Sequence, residues 1–97
     1  MNMEPRDILL VGVGGQGIIL ASDIVSKALF KAGFDVKSSS IKGMSQRLGS
    51  VVSSVRFGEK VYSTVITKTD YLLGFELLET LRYIDYLNKH GIGIINN

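Results

Sequence analysis

The chain opens with a short apolar run, Asp7-Ile8-Leu9-Leu10-Val11-Gly12, closed by glycine, which is the pattern of a buried strand. From Gln16 to Ala32 the period changes. Ile18, Ala21, Val25, Ala28, Leu29 and Ala32 recur at helical spacing, with Asp23, Ser26, Lys27 and Lys31 between them. Gly33 stands where such a helix would stop. Phe34 to Ser39 reads as a second strand, and Ile41 to Gly49 as a loop punctuated by Gly43 and Gly49. Ser50 to Phe57 is rich in Val and Ser, Gly58-Glu59 suits a turn, and Lys60 to Ile66 is β-branched and aromatic. Together they predict a β-hairpin. Tyr71 to Phe75 is a further short strand. Glu76 to Asn88 predicts a second helix, with Leu77, Leu78, Leu81, Ile84 and Leu87 inward and Glu79, Arg82 and Asp85 outward. Lys89 and His90 suit its C-terminal dipole and Gly91 its end, after which Ile92 to Asn96 begins another buried strand.

This order predicts an α/β domain with a mostly parallel sheet and right-handed crossovers. Such a sheet needs both faces covered, and two helices are few for it. The expectation is that residues 1–97 are the N-terminal part of a larger domain, or pair with a companion that covers the open face.

Composition narrows the chemistry. The 97 residues are 45% hydrophobic and 21% charged, a globular profile for one small domain. There is no Cys, which excludes disulfides, thiolate zinc sites, cysteine-held iron–sulfur clusters and thiol nucleophiles within the chain. A single His argues against a metal cage or a His-based proton relay. The longest apolar run, Ile8 to Gly15, is far below the roughly 18 residues of a membrane span. The N-terminus lacks the basic region of a signal peptide, so a cytoplasmic location is expected.

The net charge of +2 hides an uneven distribution. Lys37, Lys42, Arg47, Arg56, Lys60 and Lys68 face only Glu59, so residues 37–68 form a band of +5 between mildly acidic flanks. Such a band attracts phosphates, anionic cofactors or an acidic protein surface. It has few aromatic residues and no nucleic-acid-binding motif, so nucleic acid is not the expected partner.

Gly12-Val13-Gly14-Gly15-Gln16-Gly17 fits G-x-G-x-x-G between a strand and a helix. Gly12 permits the tight turn, Gly14 a close backbone approach and Gly17 tight helix packing, which leaves the first N–H groups of the helix facing an anion. A Walker-type loop is excluded, because Ile18 and Ile19 follow Gly17 instead of Lys and a hydroxyl residue. A dinucleotide site wants an acid near the end of the second strand, whereas Asp35 begins that strand and Ser38-Ser39-Ser40 end it. The glycines also fit a purely structural role, in which they only let strand, turn and helix pack closely. A nucleophile elbow is absent, and His90 at a helix end is expected to be solvated.

The second distinctive stretch is Gly43-Met44-Ser45-Gln46-Arg47, ahead of Ser50-Val51-Val52-Ser53. Arg47 is suited to bidentate contact with phosphate or carboxylate. With the Gly12–Gly17 loop and Asp70-Tyr71-Leu72-Leu73-Gly74-Phe75-Glu76, these segments resemble the gamma subunit or domain of the 2-oxoacid:ferredoxin oxidoreductases, a module shared by indolepyruvate oxidoreductase beta subunits. The resemblance covers nearly all of this chain and about the first half of the usual family domain. Leu48 stands where the family usually has Gly, and Ser54 where His is common.

The resemblance implies a Rossmann-like, mostly parallel sheet with a β-hairpin insertion. It implies a subunit that is not catalytic alone, in a complex that decarboxylates a 2-oxoacid on thiamine diphosphate. That complex passes electrons through iron–sulfur clusters to ferredoxin and forms an acyl-coenzyme A. Thiamine diphosphate and the clusters would lie in partner subunits, against which this chain packs. Coenzyme A is the candidate ligand here, with Gly12, Gly14, Gly15, Gln16, Gly17, Ser45, Gln46 and Arg47 as candidate contacts. Two other readings stay open: a free-standing nucleotide-binding module, and an interaction scaffold without a ligand.

Overall fold

A computed structural model describes residues 5–13, 17–42, 50–61 and 68–95. The elements run β1 (Arg6–Val13), α1 (Ile18–Lys31), β2 (Asp35–Lys42), β3 (Ser50–Gly58), β4 (Thr69–Gly74), α2 (Leu77–Arg82) and β5 (Leu87–Ile95), with a 3-10 turn at Ile84–Tyr86. They form a five-stranded sheet in the order β2-β3-β1-β4-β5. The β1–β4 and β4–β5 pairs are parallel, and the β1–β3 and β2–β3 pairs antiparallel. The fold is the expected α/β class, and every strand except β3 points the same way.

α1 forms where its apolar period placed it. Its end is set by Gly33, at φ 100, a left-handed position that favours glycine. The Phe34 N–H donates to Leu29 O at 3.2 Å and the Gly33 N–H to Phe30 O at 3.0 Å, the bonding pattern of a Schellman stop. α1 lies on one sheet face, where Leu10, Ile18, Val51 and Val55 are buried together and Ala21, Leu29 and Val36 pack against them. Leu9, Val11 and Leu72 point the other way, and Tyr83 and Leu87 pack on them. The chain leaves β1 toward β2 on one side of the sheet and leaves β4 toward β5 on the other. Crossovers of one hand in opposite directions put their connections on opposite faces.

The predicted hairpin is displaced by one strand. β3 is filled on both edges, by β1 through Arg6↔Phe57 to Val13↔Ser50 and by β2 through Asp35↔Gly58 to Lys42↔Val51. It therefore has no free edge for Lys60 to Ile66. The antiparallel neighbours in sequence are β2 and β3. After β3 the chain turns away, because the Val61 N–H donates to the Asp35 carboxylate at 2.8 Å and Val61 is buried. Residues 62–67 of the predicted strand lie outside the described residues.

The second helix is shorter than its pattern predicts. α2 ends at Arg82, and β5 already begins at Leu87, which pairs with Thr69. Lys89, His90 and Gly91 are strand residues, not a helix end. The stretch Tyr83 to Asn88 is aromatic and branched, weak in helix propensity, and the ladder to β4 prevails over it. The predicted faces hold only in part: Arg82 and Asp85 are exposed and Leu87 packs on the core as expected, but the other positions differ. Glu79 and Thr80 are buried, while Leu77, Leu78, Leu81 and Ile84 are exposed.

Polar groups fasten the end of the sheet where β1 starts. Arg56 Nε donates to Asp7 Oδ1 at 2.6 Å, and the Asp7 N–H donates to Asp70 Oδ2 at 2.9 Å. Asn88 Nδ2 reaches Asp70 Oδ1 at 3.0 Å, and Thr69 Oγ1 donates to the Asp7 carbonyl at 2.9 Å. The hydrogen bond to Asp7 holds the Arg56 guanidinium pKa above its ordinary value.

Candidate functional site

The site is built at the other end of the sheet, where β1, β2 and β4 finish and β3 begins. Val13 pairs with Ser50, Lys42 with Val51, and Gly74 with Val11. The residues that flank the glycine loop, Val13 and Gly17, and those that flank the 43–49 loop, Lys42 and Ser50, thus share one end with the close of β4. This is also where the sheet changes winding direction between β1 and β4. In open α/β sheets, ligands sit at that point, beyond the carboxyl ends of the strands.

Of the predicted contacts, Gly12 and Gly17 are described. Gly14, Gly15, Gln16, Ser45, Gln46 and Arg47 lie outside the described residues. Gly12 is buried, and a Cβ there would lie 2.6 Å from Ile18 Cδ1 and 3.3 Å from Phe75 Cβ. It is required by the close packing of α1 and of the chain after β4. Gly17, at φ 80, is the N-cap of α1, and its carbonyl accepts from the Ala21 N–H at 2.7 Å. No side chain caps this helix start, and its first turn has no acidic residue. A positive helix end without a resident acid favours an anion.

Phe75 and Glu76 also belong to this end and were not singled out as contacts. The Phe75 N–H donates to Val11 O at 2.8 Å, which ties the turn after β4 to the end of β1, and the Phe75 side chain is exposed. Glu76 caps α2, with its carboxylate accepting from the Glu79 N–H at 2.8 Å and the Leu78 N–H at 3.1 Å. The sequence signal for both was their place at the end of the fourth family-like segment.

The basic band does not form one field at the site. Arg56 pairs with Asp7, Lys37 lies 3.9 Å from Asp35, and Lys68 Nζ donates to the Asp85 carbonyl at 2.9 Å. Arg56 and Lys68 serve the opposite end of the sheet. Asp35 sits at that opposite end too, engaged by the Val61 N–H. It is therefore not placed to bind a ribose beside the glycine loop, in keeping with the position read from the sequence. Among the described residues no three His, Asp or Glu side chains gather as a metal site.

A buried hydroxyl cluster under α1 was not legible in the sequence. Ser53 Oγ donates to Ser22 Oγ at 2.7 Å, and both residues are buried. This pair satisfies polar groups between helix and sheet, and its role is to position α1.

Residues 7–97 match the family model for pyruvate ferredoxin/flavodoxin oxidoreductase. The indolepyruvate oxidoreductase subunit IorB of Thermococcus kodakarensis is 46% identical over 96 residues, covering 97% of this chain and 48% of that protein. The IorB of Archaeoglobus fulgidus is 40% identical over 92 residues, covering 93% of this chain and 45% of that protein. Among solved structures, the gamma subunit of a keto/oxoacid ferredoxin oxidoreductase from Geobacter sulfurreducens superposes with a TM-score of 0.76 at 26% identity, over 94% of this chain and 50% of that one. Pyruvate oxidoreductase subunit PORC from Thermotoga maritima shares the fold, with a TM-score of 0.76 at 22% identity over 97% of this chain and 51% of that one. The chain spans about half the length of the curated relatives it matches.

Proposed function

The chain belongs to the pyruvate ferredoxin/flavodoxin oxidoreductase family, and from that premise we propose that residues 1–97 supply the N-terminal half of a gamma-type domain in a 2-oxoacid:ferredoxin oxidoreductase complex. The complex converts a 2-oxoacid to an acyl-coenzyme A and reduces ferredoxin. This chain has no Cys to hold iron–sulfur clusters, and on this reading the clusters and the thiamine diphosphate belong to partner subunits. Large apolar side chains left exposed on α1 and α2, including Leu20, Ile24, Leu78 and Leu81, suit a chain that works packed against others.

The observation that most favours a ligand-facing role is the meeting of the two loop flanks. Val13, Gly17, Lys42 and Ser50 share the end of the sheet at which the winding direction changes. An uncapped helix start with no acid in its first turn adds a positive dipole there. A coenzyme A diphosphate fits that chemistry. Gly12, Gly14, Gly15, Gln16 and Gly17 would let the backbone approach it, and Ser45, Gln46 and Arg47 would supply a hydroxyl, an amide and a guanidinium fork. This chain's part is to bind and orient; the acyl transfer chemistry belongs to the partners. A free-standing dinucleotide module is less well supported, because Asp35 lies at the far end of the sheet.

The test is a calorimetric titration of the assembled complex with coenzyme A. Arg47→Ala is expected to weaken binding about tenfold or more, the worth of one charge-assisted contact. Unchanged affinity would remove coenzyme A from this chain's role.

A further inference from the structure

One row of positions crosses the sheet at the end where the two loop flanks meet. Lys42 on β2 pairs with Val51 on β3, and Val51 pairs with Gly12 on β1. Phe75 continues the row beyond β4, since Gly74 pairs with Val11 and the Phe75 N–H donates to Val11 O. At a strand spacing of about 4.8 Å, positions 42 and 75 stand about 14 Å apart, with Gly12 between them. The two sides of this row differ in chemistry. Among the described residues, Lys42 is the member of the basic band placed at this end, and β2 has no acid after Asp35. An acid at the end of such a strand takes ribose hydroxyls, whereas a cation there takes a ribose phosphate. On the other side the Phe75 ring is 41% exposed, although its backbone is fixed by the bond to Val11 and its Cβ abuts Gly12. The Glu76 carboxylate follows it, held at the start of α2 by the Leu78 and Glu79 N–H groups. An apolar ring beside a negative charge suits an uncharged aliphatic chain and repels a phosphate.

We propose that coenzyme A lies along this row in one direction, its ribose phosphate toward Lys42 on β2 and its pantetheine arm over Phe75 beyond β4. The diphosphate that joins the two halves then stands at Gly12 and the start of α1. Coenzyme A divides there into a strongly anionic adenosine bisphosphate half and an uncharged pantetheine half with an apolar dimethyl group. The charge along the row matches that division in one orientation only. In the reverse orientation the ribose phosphate comes to the side of Glu76, and the dimethyl group to the side of a lysine. Phe75 is thereby the surface that guides the thiol-bearing arm. Lys42 is the residue that selects coenzyme A over dephospho-coenzyme A. This rests on the coenzyme A reading above, and adds to it a direction and two residues.

The test uses the assembled complex and displaces bound coenzyme A with its two halves, adenosine bisphosphate and phosphopantetheine. Lys42→Gln is expected to weaken adenosine bisphosphate about tenfold and to leave phosphopantetheine unchanged. Phe75→Ala is expected to do the opposite, weakening phosphopantetheine about fivefold and leaving adenosine bisphosphate unchanged. Each variant carries its own control for folding, because it keeps full affinity for the half it does not touch. Lys42→Gln is also expected to bring coenzyme A and dephospho-coenzyme A about tenfold closer in affinity. The reversed pattern, with Phe75→Ala weakening adenosine bisphosphate and Lys42→Gln weakening phosphopantetheine, would overturn the proposal. So would an equal loss for both halves, or no loss for either, in these variants. The coenzyme A reading itself is judged by Arg47→Ala in the same complex. If that variant weakens coenzyme A and the other two do not follow the expected pattern, the orientation alone is wrong. Unchanged affinity in Arg47→Ala removes the reading on which the orientation rests.

Discussion

A Cβ at Gly12 would lie 2.6 Å from Ile18 Cδ1 and 3.3 Å from Phe75 Cβ, and Ile18 is fully buried and cannot withdraw freely. Gly12→Ala is expected to lower the stability of the chain by about 1–3 kcal/mol, read as a lower urea midpoint with an unchanged slope. Gly17 makes a useful contrast, since a Cβ there meets nothing within 4 Å and the only strain is its positive φ. The sequence assigned both glycines to one motif, but the motif alone does not separate a packing glycine from a turn glycine. Asp7 is a second residue whose weight was hidden. It lies in an apolar strand, yet it accepts the Arg56 guanidinium and its main chain is held by Asp70 and Thr69. Asp7→Ala leaves a half-buried Arg56 without its carboxylate and is expected to cost about 1.5–3 kcal/mol, measured by the same denaturation. A long-range pair such as this has no local sequence signal, because its partners are 49 positions apart.

At the scale of elements, the helix that matches its pattern is the one with local punctuation. α1 has a periodic apolar stripe and a glycine stop, and both act within a few residues of each other. α2 departs from its pattern because its boundaries are set from elsewhere. The start of β5 at Leu87 follows from its pairing with Thr69, and that pairing is not written in residues 83–88. Its buried face differs in part from the pattern for a related reason. Thr80 is held by a contact to Gly74, where an added Cβ would come within 2.7 Å of Thr80 Cβ, so the small residue on the strand selects the face of the helix. The consequence is testable on the isolated chain. Leu78→Ser is expected to change stability by no more than about 0.5 kcal/mol, as for an ordinary surface position. Thr80→Leu is expected to cost about 1–3 kcal/mol through overpacking against β4. A large loss from Leu78→Ser would restore the face that the apolar spacing suggested. The hairpin was displaced for the same kind of reason, since β3 has two sheet neighbours and local alternation of Val and Ser cannot show which strands they are.

At the scale of the molecule, the sheet brings together chain segments that lie far apart in sequence. The ends of β1 and β2 and the start of β3 meet at one edge of the fold. The glycine loop and the Ser45-Gln46-Arg47 loop are therefore anchored side by side, although the sequence shows them about thirty residues apart. That convergence was not legible from spacing. The family resemblance was, because four segments in order identify a module more specifically than any one of them. The polar network of Asp7, Arg56, Asp70 and Asn88 closes the opposite end, so the fold separates a fastened end from the end where the flanks of the two loops meet. The isoleucines of β5 and the leucines of α2 are the large apolar side chains left exposed on these two elements.

Membership of a multi-subunit oxidoreductase is the claim on which the rest depends. The most direct measurement is purification of the tagged chain from its native cells, followed by assay of the product for iron, thiamine diphosphate and mass. The account predicts a brown, thiamine-containing assembly much larger than 10.6 kDa, which then reduces ferredoxin with a 2-oxoacid and coenzyme A. A colourless chain of 10.6 kDa with neither iron nor thiamine would contradict it.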